Sequence, residues 1–350
     1  RIVDLGDTEI VDYVKNDGSA GSILLTQGAA SLIPNTRYGV YASAAPLVGR
    51  IVSDTVPVDN LTPFIFASTL TGLGRSGGTD RFSFYNPSSS TANVTIRSYD
   101  SVGTLMATTP VSVNPGAFVL STTDINYTGI IESDVPLLTY SYTTGNGYGM
   151  TLMPASTEIF GVSNRGANIG ITTDATTGTV YYSNGTSSVF GPFNKGRNVN
   201  LTATGGETAS LGVRVVANNP IVGNSYNPLD GVEAVSFYPE SELARDYTIP
   251  VSITHALIVC KETVVVTLTY PDNVTTEQKT CTASGSFPGY NFFTSGLGYP
   301  EAIRLSGDKN FYVMYEYGTL DETNLTGWKH NRAYSYPAPV SSVSSEVEFR

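Results

Sequence analysis

Charge, histidine, cysteine and long apolar runs are all scarce in this chain, and each scarcity removes a class of function. Only 14% of its 350 residues are Asp, Glu, Lys or Arg, against roughly a quarter in ordinary soluble domains. The 19 basic residues are scattered and outnumbered by 30 acidic ones, leaving a net charge of −11. Without a Lys/Arg cluster, nucleic acid and anionic lipid are poor partners. The longest apolar runs, such as "ALIVC" (256–260), fall far short of the ~20 residues a helix needs to cross a bilayer. No membrane insertion is expected. The two histidines, His255 and His330, have no carboxylate or cysteine at ligand spacing, so no zinc signature arises. Nor is there a strand–turn–helix elbow on which to mount a Ser–His pair.

Three other stretches invite chemistry and are better read as ordinary surface. "TGLGRSGGTDR" (71–81) lacks the Lys-Ser/Thr ending of a phosphate loop and no helix follows it. The acids Asp4, Asp7, Glu9, Asp12 and Asp17 do not follow the spacing of a calcium loop. Glu240 and Glu242 are close neighbours on a one- or two-turn helix segment, "PESELARDY" (239–247), rather than facing carboxylates of a glycosidase. The expectation is a protein that is not an enzyme and takes no cofactor or metal.

What the chain does have is β-forming sequence and repetition. Thr, Val, Tyr and Ile, which suit a pleated half-buried surface, are abundant. Alternating runs recur from about Ile65 onward, separated by turns rich in Asn, Pro, Asp, Ser and Gly, as in "DRFSFYNPSSSTANVTIRSYDSVG" (80–103). The phrase "ESDVPLLTYSY" (132–142) returns as "VANNPIVGNSY" (216–226) and more loosely as "GDKNFYVMYEY" (307–317). Each copy follows a glycine, Gly116, Gly196 or Gly289. From glycine to closing tyrosine (Tyr142, Tyr226, Tyr317) is 26, 30 and 28 residues. This predicts an all-β fold of tandem antiparallel β-sandwich modules, Ig-like or jelly-roll, at 62–158, 159–248 and 249–340. Residues 1–61 form an N-terminal strand-bearing segment in which "RYGVYAS" (37–43) resembles the tail of a module, and 341–350 form a C-terminal tail.

Cys260 and Cys281 flank the turn "TYPDNVT" (269–275). A hairpin folding at Tyr270-Pro271 would set them opposite each other on adjacent strands, within disulfide reach. Seven Asn-X-Ser/Thr sequons occur, where chance gives about five. The Asn60 sequon is trailed by Pro63 and set aside. Asn93, Asn126, Asn184, Asn200, Asn273 and Asn324 are the candidates, Asn184 and Asn273 in equivalent hairpin turns. The 22 tyrosines are assigned first to core packing and cross-strand pairs.

The repeated polar-pair, Pro, apolar-run, Tyr phrase, together with "EAVSFYP" (233–239), resembles the tandem β-sandwich repeats of large secreted and cell-surface proteins, in particular the N-terminal repeats of IgG-Fc-binding-protein-like chains. That resemblance spans about 62–250 and implies an extracellular adhesive or structural role. The Lys-poor, Ser/Thr-rich β character is also similar to subunits of surface fibres and pili that join by strand donation. The chain opens on Arg1 without a signal-peptide pattern, as a processed or internally bounded product would.

The reading is therefore an extracellular or cell-surface structural glycoprotein, its partners further copies of itself and attached glycans, polymerising head to tail by strand addition. The alternative is a monomeric adhesin or carbohydrate-binding β-sandwich. The expected donor is the N-terminal run carrying Ile2, Val3, Leu5, Ile10, Val11 and Tyr13, with the shorter "EVEFR" (346–350) as the other end's candidate. Pairing of both ends within their own chain is the competing arrangement.

Overall fold

The computed structural model describes the backbone of all residues except 1, 5–7, 16–19, 27–28, 31–37, 43–46, 50–65, 74–79, 87, 126, 144–148, 165, 203–208, 227–233, 250–252, 301–302, 318–333, 336–337, 340–345 and 350. Side chains are described within 81–141 and 152–315, apart from those gaps and positions 83, 85, 118, 138, 140, 226, 234, 248, 296 and 297. The described residues are almost wholly antiparallel β, in the all-β sandwich architecture that the composition implies.

The first module holds β7 (Phe66–Leu73), β8 (Asp80–Tyr85), β9 (Ala92–Tyr99), β10 (Leu105–Val113), β11 (Phe118–Leu120), β12 (Thr128–Thr143) and β13 (Gly149–Thr151). One sheet runs β10-β9-β12-β7 and the other β11-β8-β12-β13, so β12 belongs to both. The second module repeats this with β14 (Ser156–Ser163), β15 (Gly166–Ile171), β16 (Thr176–Tyr182), β17 (Ser187–Phe193), β18 (Asn198–Asn200), β19 (Leu211–Tyr226), β20 (Ala234–Ser236) and β21 (Tyr238–Pro239). The third uses β22 (Ala244–Ile249), β23 (Ile253–Cys260), β24 (Val264–Thr269), β25 (Thr276–Cys281), β26 (Gly289–Tyr299), β27 (Ile303–Tyr317), β28 (Tyr334–Ser335) and β29 (Ala338–Pro339). The expected boundaries at 158/159 and 248/249 need correction. Each cuts a strand, since β14 opens the second module and β22 the third. The sequence cue, a run of strand-like residues, does not say on which side of a turn a module closes.

The repeated phrase marks the place where one strand changes sheets. In β12, Glu132 pairs with Thr69 and Leu137 with Ala67. In β19, Val216 pairs with Glu158 and Ile221 with Ser156. In β27, Ser306 pairs with Asp246 and Phe311 with Ala244. Each long strand thus inserts four residues against one on its partner, a bulge that bends it out of the first sheet and into the second. The last three residues of each insertion have no ladder partner on either side, which favours polar, small or proline residues in "SDVP", "ANNP" and "GDKN". The paired positions 67, 156 and 244 set the repeat at 89 and then 88 residues. The third copy runs one residue earlier than its sequence suggests, so Glu316, not Tyr317, takes the place of Tyr142 and Tyr226.

Cores follow from alternation. β9 buries Ala92, Val94 and Ile96 between exposed or half-buried neighbours, and β24 buries Val264, Val266 and Leu268 in the same way. Tyr238, Tyr247, Tyr299, Tyr312 and Tyr315 are all buried, so tyrosine packs the interior among the described residues. Tyr247 donates to the Phe311 carbonyl at 2.5 Å, and the hydroxyls of half-buried Tyr270 and buried Tyr299 reach Glu277 at 2.8 and 3.2 Å. Burial, followed by that carboxylate, pushes the Tyr270 phenol up to about 12.

The described residues before Phe66 also adopt this plan. β1 (Ile2–Asp4), β2 (Thr8–Lys15), β3 (Ala20–Thr26), β4 (Ala29–Ala30), β5 (Tyr38–Ala42) and β6 (Leu47–Gly49) form two small sheets, β3-β2-β5-β30 and β4-β1-β6, where β30 is Glu346–Phe349 from the far end of the chain. β5 pairs with β2 and β6 with β1, just as the two halves of β12 pair with β9 and β8. Four residues separate β5 from β6, and "ASAAPLV" (42–48) is a fourth copy of the phrase. The N-terminal segment and the C-terminal tail are therefore parts of one sandwich.

This corrects the expectation of a free N-terminal donor. Ile2 and Val3 lie on β1, which is hydrogen-bonded on both sides, and Ile10, Val11 and Tyr13 lie on β2, flanked by β3 and β5. Neither strand has an edge left over. Leu5 lies outside the described residues, as do Asp7 and Asp17, while Asp4 falls on β1 and Glu9 and Asp12 on β2.

Candidate assembly surfaces and module joints

Two joints connect the three central modules, and they share one geometry. The first strand of each module packs on the second and sixth strands of the next: β7 on β15 and β19, then β14 on β23 and β27. The last strands of the second sheets also meet in series, β13 with β20 and β20 with β28. In each joint a turn of the later module, between its fourth and fifth strands, contacts the earlier one. The turns are equivalent because each closes with the same three-residue backbone bond: Ala117 N–H to Asn114, Arg197 N–H to Asn194, Phe287 N–H to Ser284. Gly289, expected as the third turn glycine, instead lies at the start of β26. A Cβ there would meet the Cys260 sulfur at 2.5 Å, so glycine serves close approach to the disulfide.

Among the described side chains, which exclude those of β7, the joint between modules 1 and 2 is polar. Arg97 Nη1 lies 2.6 Å from Glu132 Oε2, and Lys195 of the second module donates to Glu132 Oε1 at 3.2 Å. Glu132 opens the repeated phrase, and the Arg97 guanidinium, with help from Lys195 against partial burial, holds its carboxyl below the usual range. Gly196, with φ +87°, lies under the Tyr99 ring, where a Cβ would come within 2.2 Å of the ring. Val102 and Arg197 form a single antiparallel bridge alongside.

The joint between modules 2 and 3 is apolar at its centre. Met153, Phe160, Val162, Val235 and Tyr238 belong to the same continuous cluster as the third module's core. Tyr238 meets Tyr312 edge to face at 5.1 Å, and Tyr181 meets Phe287 at 5.6 Å. Ions rim it: Arg214 Nε reaches Glu158 at 2.8 Å, Lys261 bonds both Glu158 and Glu240, and Arg214 donates to the Ser286 carbonyl at 3.1 Å. Lys261 first, then Glu158, holds the Glu240 carboxyl below its ordinary value against partial burial. Glu240 and Glu242 lie on a single 3₁₀ turn, and Glu240 belongs to this network rather than to a facing acid pair.

Cys260 and Cys281 are bonded, with their Cα atoms 6.2 Å apart. The geometry differs from the one expected. Across the β24–β25 hairpin Cys281 stands opposite Val264, so the hairpin folds nearer Asp272-Asn273. Cys260 lies on β23, in the other sheet. The bond therefore staples sheet to sheet, and a loop of 21 residues of separation contributes about 3 kcal/mol.

Among the sequons, Asn184 and Asn273 are exposed in the β16–β17 and β24–β25 turns, which are equivalent. Asn184 Oδ1 accepts from the Thr186 amide at 3.0 Å and hydroxyl at 2.6 Å, leaving its amide nitrogen toward solvent. Asn93 is exposed, but its amide donates to Asp134 at 2.6 Å. Asn200 is exposed on β18, and Asn126 and Asn324 lie outside the described residues. His255 lies on β23 with Nδ1 3.1 Å from the Thr254 hydroxyl, while His330, Asn60 and residues 74–79 of the glycine-rich stretch lie outside the described residues.

The joint residues were not singled out in the sequence. The available signal was scarcity: in a chain with so few charges, half-buried Glu132, Glu158 and Arg214 are conspicuous only once burial is known. Together the fold and joints define a tandem array of antiparallel β-sandwiches with one recurrent joint. No protein-family model matches the chain, and no curated protein or solved structure matches it significantly.

Proposed function

We propose that the chain is an extracellular, glycan-bearing structural subunit that polymerises head to tail into a fibre or surface layer by strand addition. The recurrent joint carries this reading. A contact that hands one module to the next by the same faces, twice in succession, is a head-to-tail contact, the kind that adds units in one direction. The inter-sheet disulfide supports an oxidising compartment, and the exposed Asn184 turn supports glycan attachment there. The exposed edge strands β10 and β17 carry Pro110 and Pro192, and β25 carries Lys279, features that discourage indiscriminate edge pairing.

Negative-stain imaging and light scattering across a concentration series test the proposal. Filaments one subunit wide, growing with concentration, are expected; a monodisperse monomer at every concentration overturns it. A monomeric adhesin or carbohydrate-binding protein is the second reading. Leu105 and Met106, exposed at the start of β10, favour it.

A further inference from the structure

We infer that β30 is an exchangeable strand, which in the assembly fills the first-strand position beside β5 of the next copy. The inference rests on the polymer reading above and assigns its connecting element. β30 stands to β5 as β7, β14 and β22 stand to the long strands of modules 1–3: antiparallel, on the same side, against the half that precedes the four-residue insertion. The register agrees as well. One residue before the last position ahead of the insertion, Tyr41 pairs with Glu346, Ile131 with Leu70 and Val215 with Ile159. Glu346–Phe349 therefore occupies the place of Leu70–Leu73 and of Ile159–Val162.

What differs is the covalent tie. In the central modules the first strand runs into its own second strand across short connections: 74–79, 164–165 and 250–252. β30 instead follows β29 of the third module across residues 340–345, and its partner β5 lies some three hundred positions earlier. The seat beside β5 is thus filled by a strand from the opposite end of the array. An identical strand from another copy would remake every one of those backbone pairs, which is the condition for low-cost exchange. In-chain closure and exchange then differ only in connectivity, and concentration shifts the balance toward chains of copies. The N-terminal strands supply the acceptor sheet and the C-terminal strand is the donor, the reverse of the direction expected from the sequence. Each link would be heterologous, one end of the molecule in the other, and such links extend into open chains wherever the rotation between copies does not close a ring.

Paired cysteines test the connection. Val40 and Val347 are register partners, and the native cysteines are already bonded to each other, so the V40C/V347C variant adds the only free thiols. After concentration, mild oxidation and denaturation, exchange gives a ladder of cross-linked multimers on a non-reducing gel. A chain ending at Ser345 should accept a strand but donate none, and so shorten wild-type filaments when mixed in. Filaments that cross-link only within single chains, or that ignore the truncated chain, overturn the exchange while leaving polymerisation standing. Absence of both filaments and ladder overturns the polymer reading and the exchange with it.

Discussion

The two joints of the central array have the same geometry and opposite chemistry. Between modules 2 and 3, Tyr238, Phe160 and Met153 merge into the next core. Between modules 1 and 2, among the described side chains, which exclude those of β7, each core ends separately, the first around Phe82, Ile96 and Leu137 and the second around Ile169, Val213 and Phe237, and Arg97, Glu132 and Lys195 bridge them. Geometry is thus set by strand positions, which the repeat supplies, while cohesion is set by which side chains meet there. An apolar joint couples folding; a polar one aligns modules without making them depend on each other. Modules 2 and 3 should unfold as one cooperative unit and module 1 as another.

The largest expected effect comes from removing an aromatic at the apolar joint. Tyr238→Ala should cost about 3–5 kcal/mol, since the ring is fully buried against Tyr312. Calorimetry should show the shared transition of modules 2 and 3 moving down, with module 1 unchanged. A loss confined to module 2 would break the contrast between joints. At the polar joint, Gly196→Ala should cost about 1–3 kcal/mol, because it adds a side chain at positive φ and drives a Cβ into Tyr99. Because the strained turn belongs to module 2, the shared transition should fall by that amount and module 1's should hold, with faster proteolysis between modules 1 and 2; a fall in module 1's transition would mean this joint carries folding energy too.

The smallest effect is electrostatic. Glu132 and Glu240 are both held below their ordinary carboxylate value, 4.5. A carboxyl depressed in the folded state contributes stability above its unfolded value and loses it as pH falls through the folded one. Both contributions therefore vanish on acidification below about pH 4.5, and neither changes between pH 6 and 8. Glu132 is 42% exposed, so the loss at the polar joint should stay under about 1 kcal/mol. Small-angle scattering should show module 1 swinging free in acid or about 1 M salt, with Glu132→Gln abolishing the acid dependence. The apolar joint should hold throughout.

Much of the fold was legible because β-structure writes itself in alternation and turns. The phrase at 132 and 216 was visible because both copies keep Pro136 and Pro220 in the bulge. The third copy has Asn310 at that place, and without the proline its register slipped by one. The fourth, "ASAAPLV", keeps Pro46 but carries alanines where the others are polar. With alanine at two of the four positions, the polar cue that marks the other copies is missing. The cysteine pair was readable, but not its path: which sheet Cys260 joins depends on long-range pairing with β26 and β27. The joints were least legible, because they bring together side chains whole modules apart in sequence, such as Glu132 and Lys195.

The strand pairing at the ends of each module has one more consequence. β14, where module 2 begins, is hydrogen-bonded to β21, where it ends, with Ile159 opposite Pro239. β22 and β29 repeat this in module 3, with Tyr247 opposite Pro339. In modules 2 and 3 the chain thus leaves on the strand beside the one by which it came in, ~5 Å away. A unit with that property behaves as a cassette: another can be spliced between two others, or one removed, without dragging the flanking units apart. The length of the array is then free to change by gene duplication while every surviving joint stays the same.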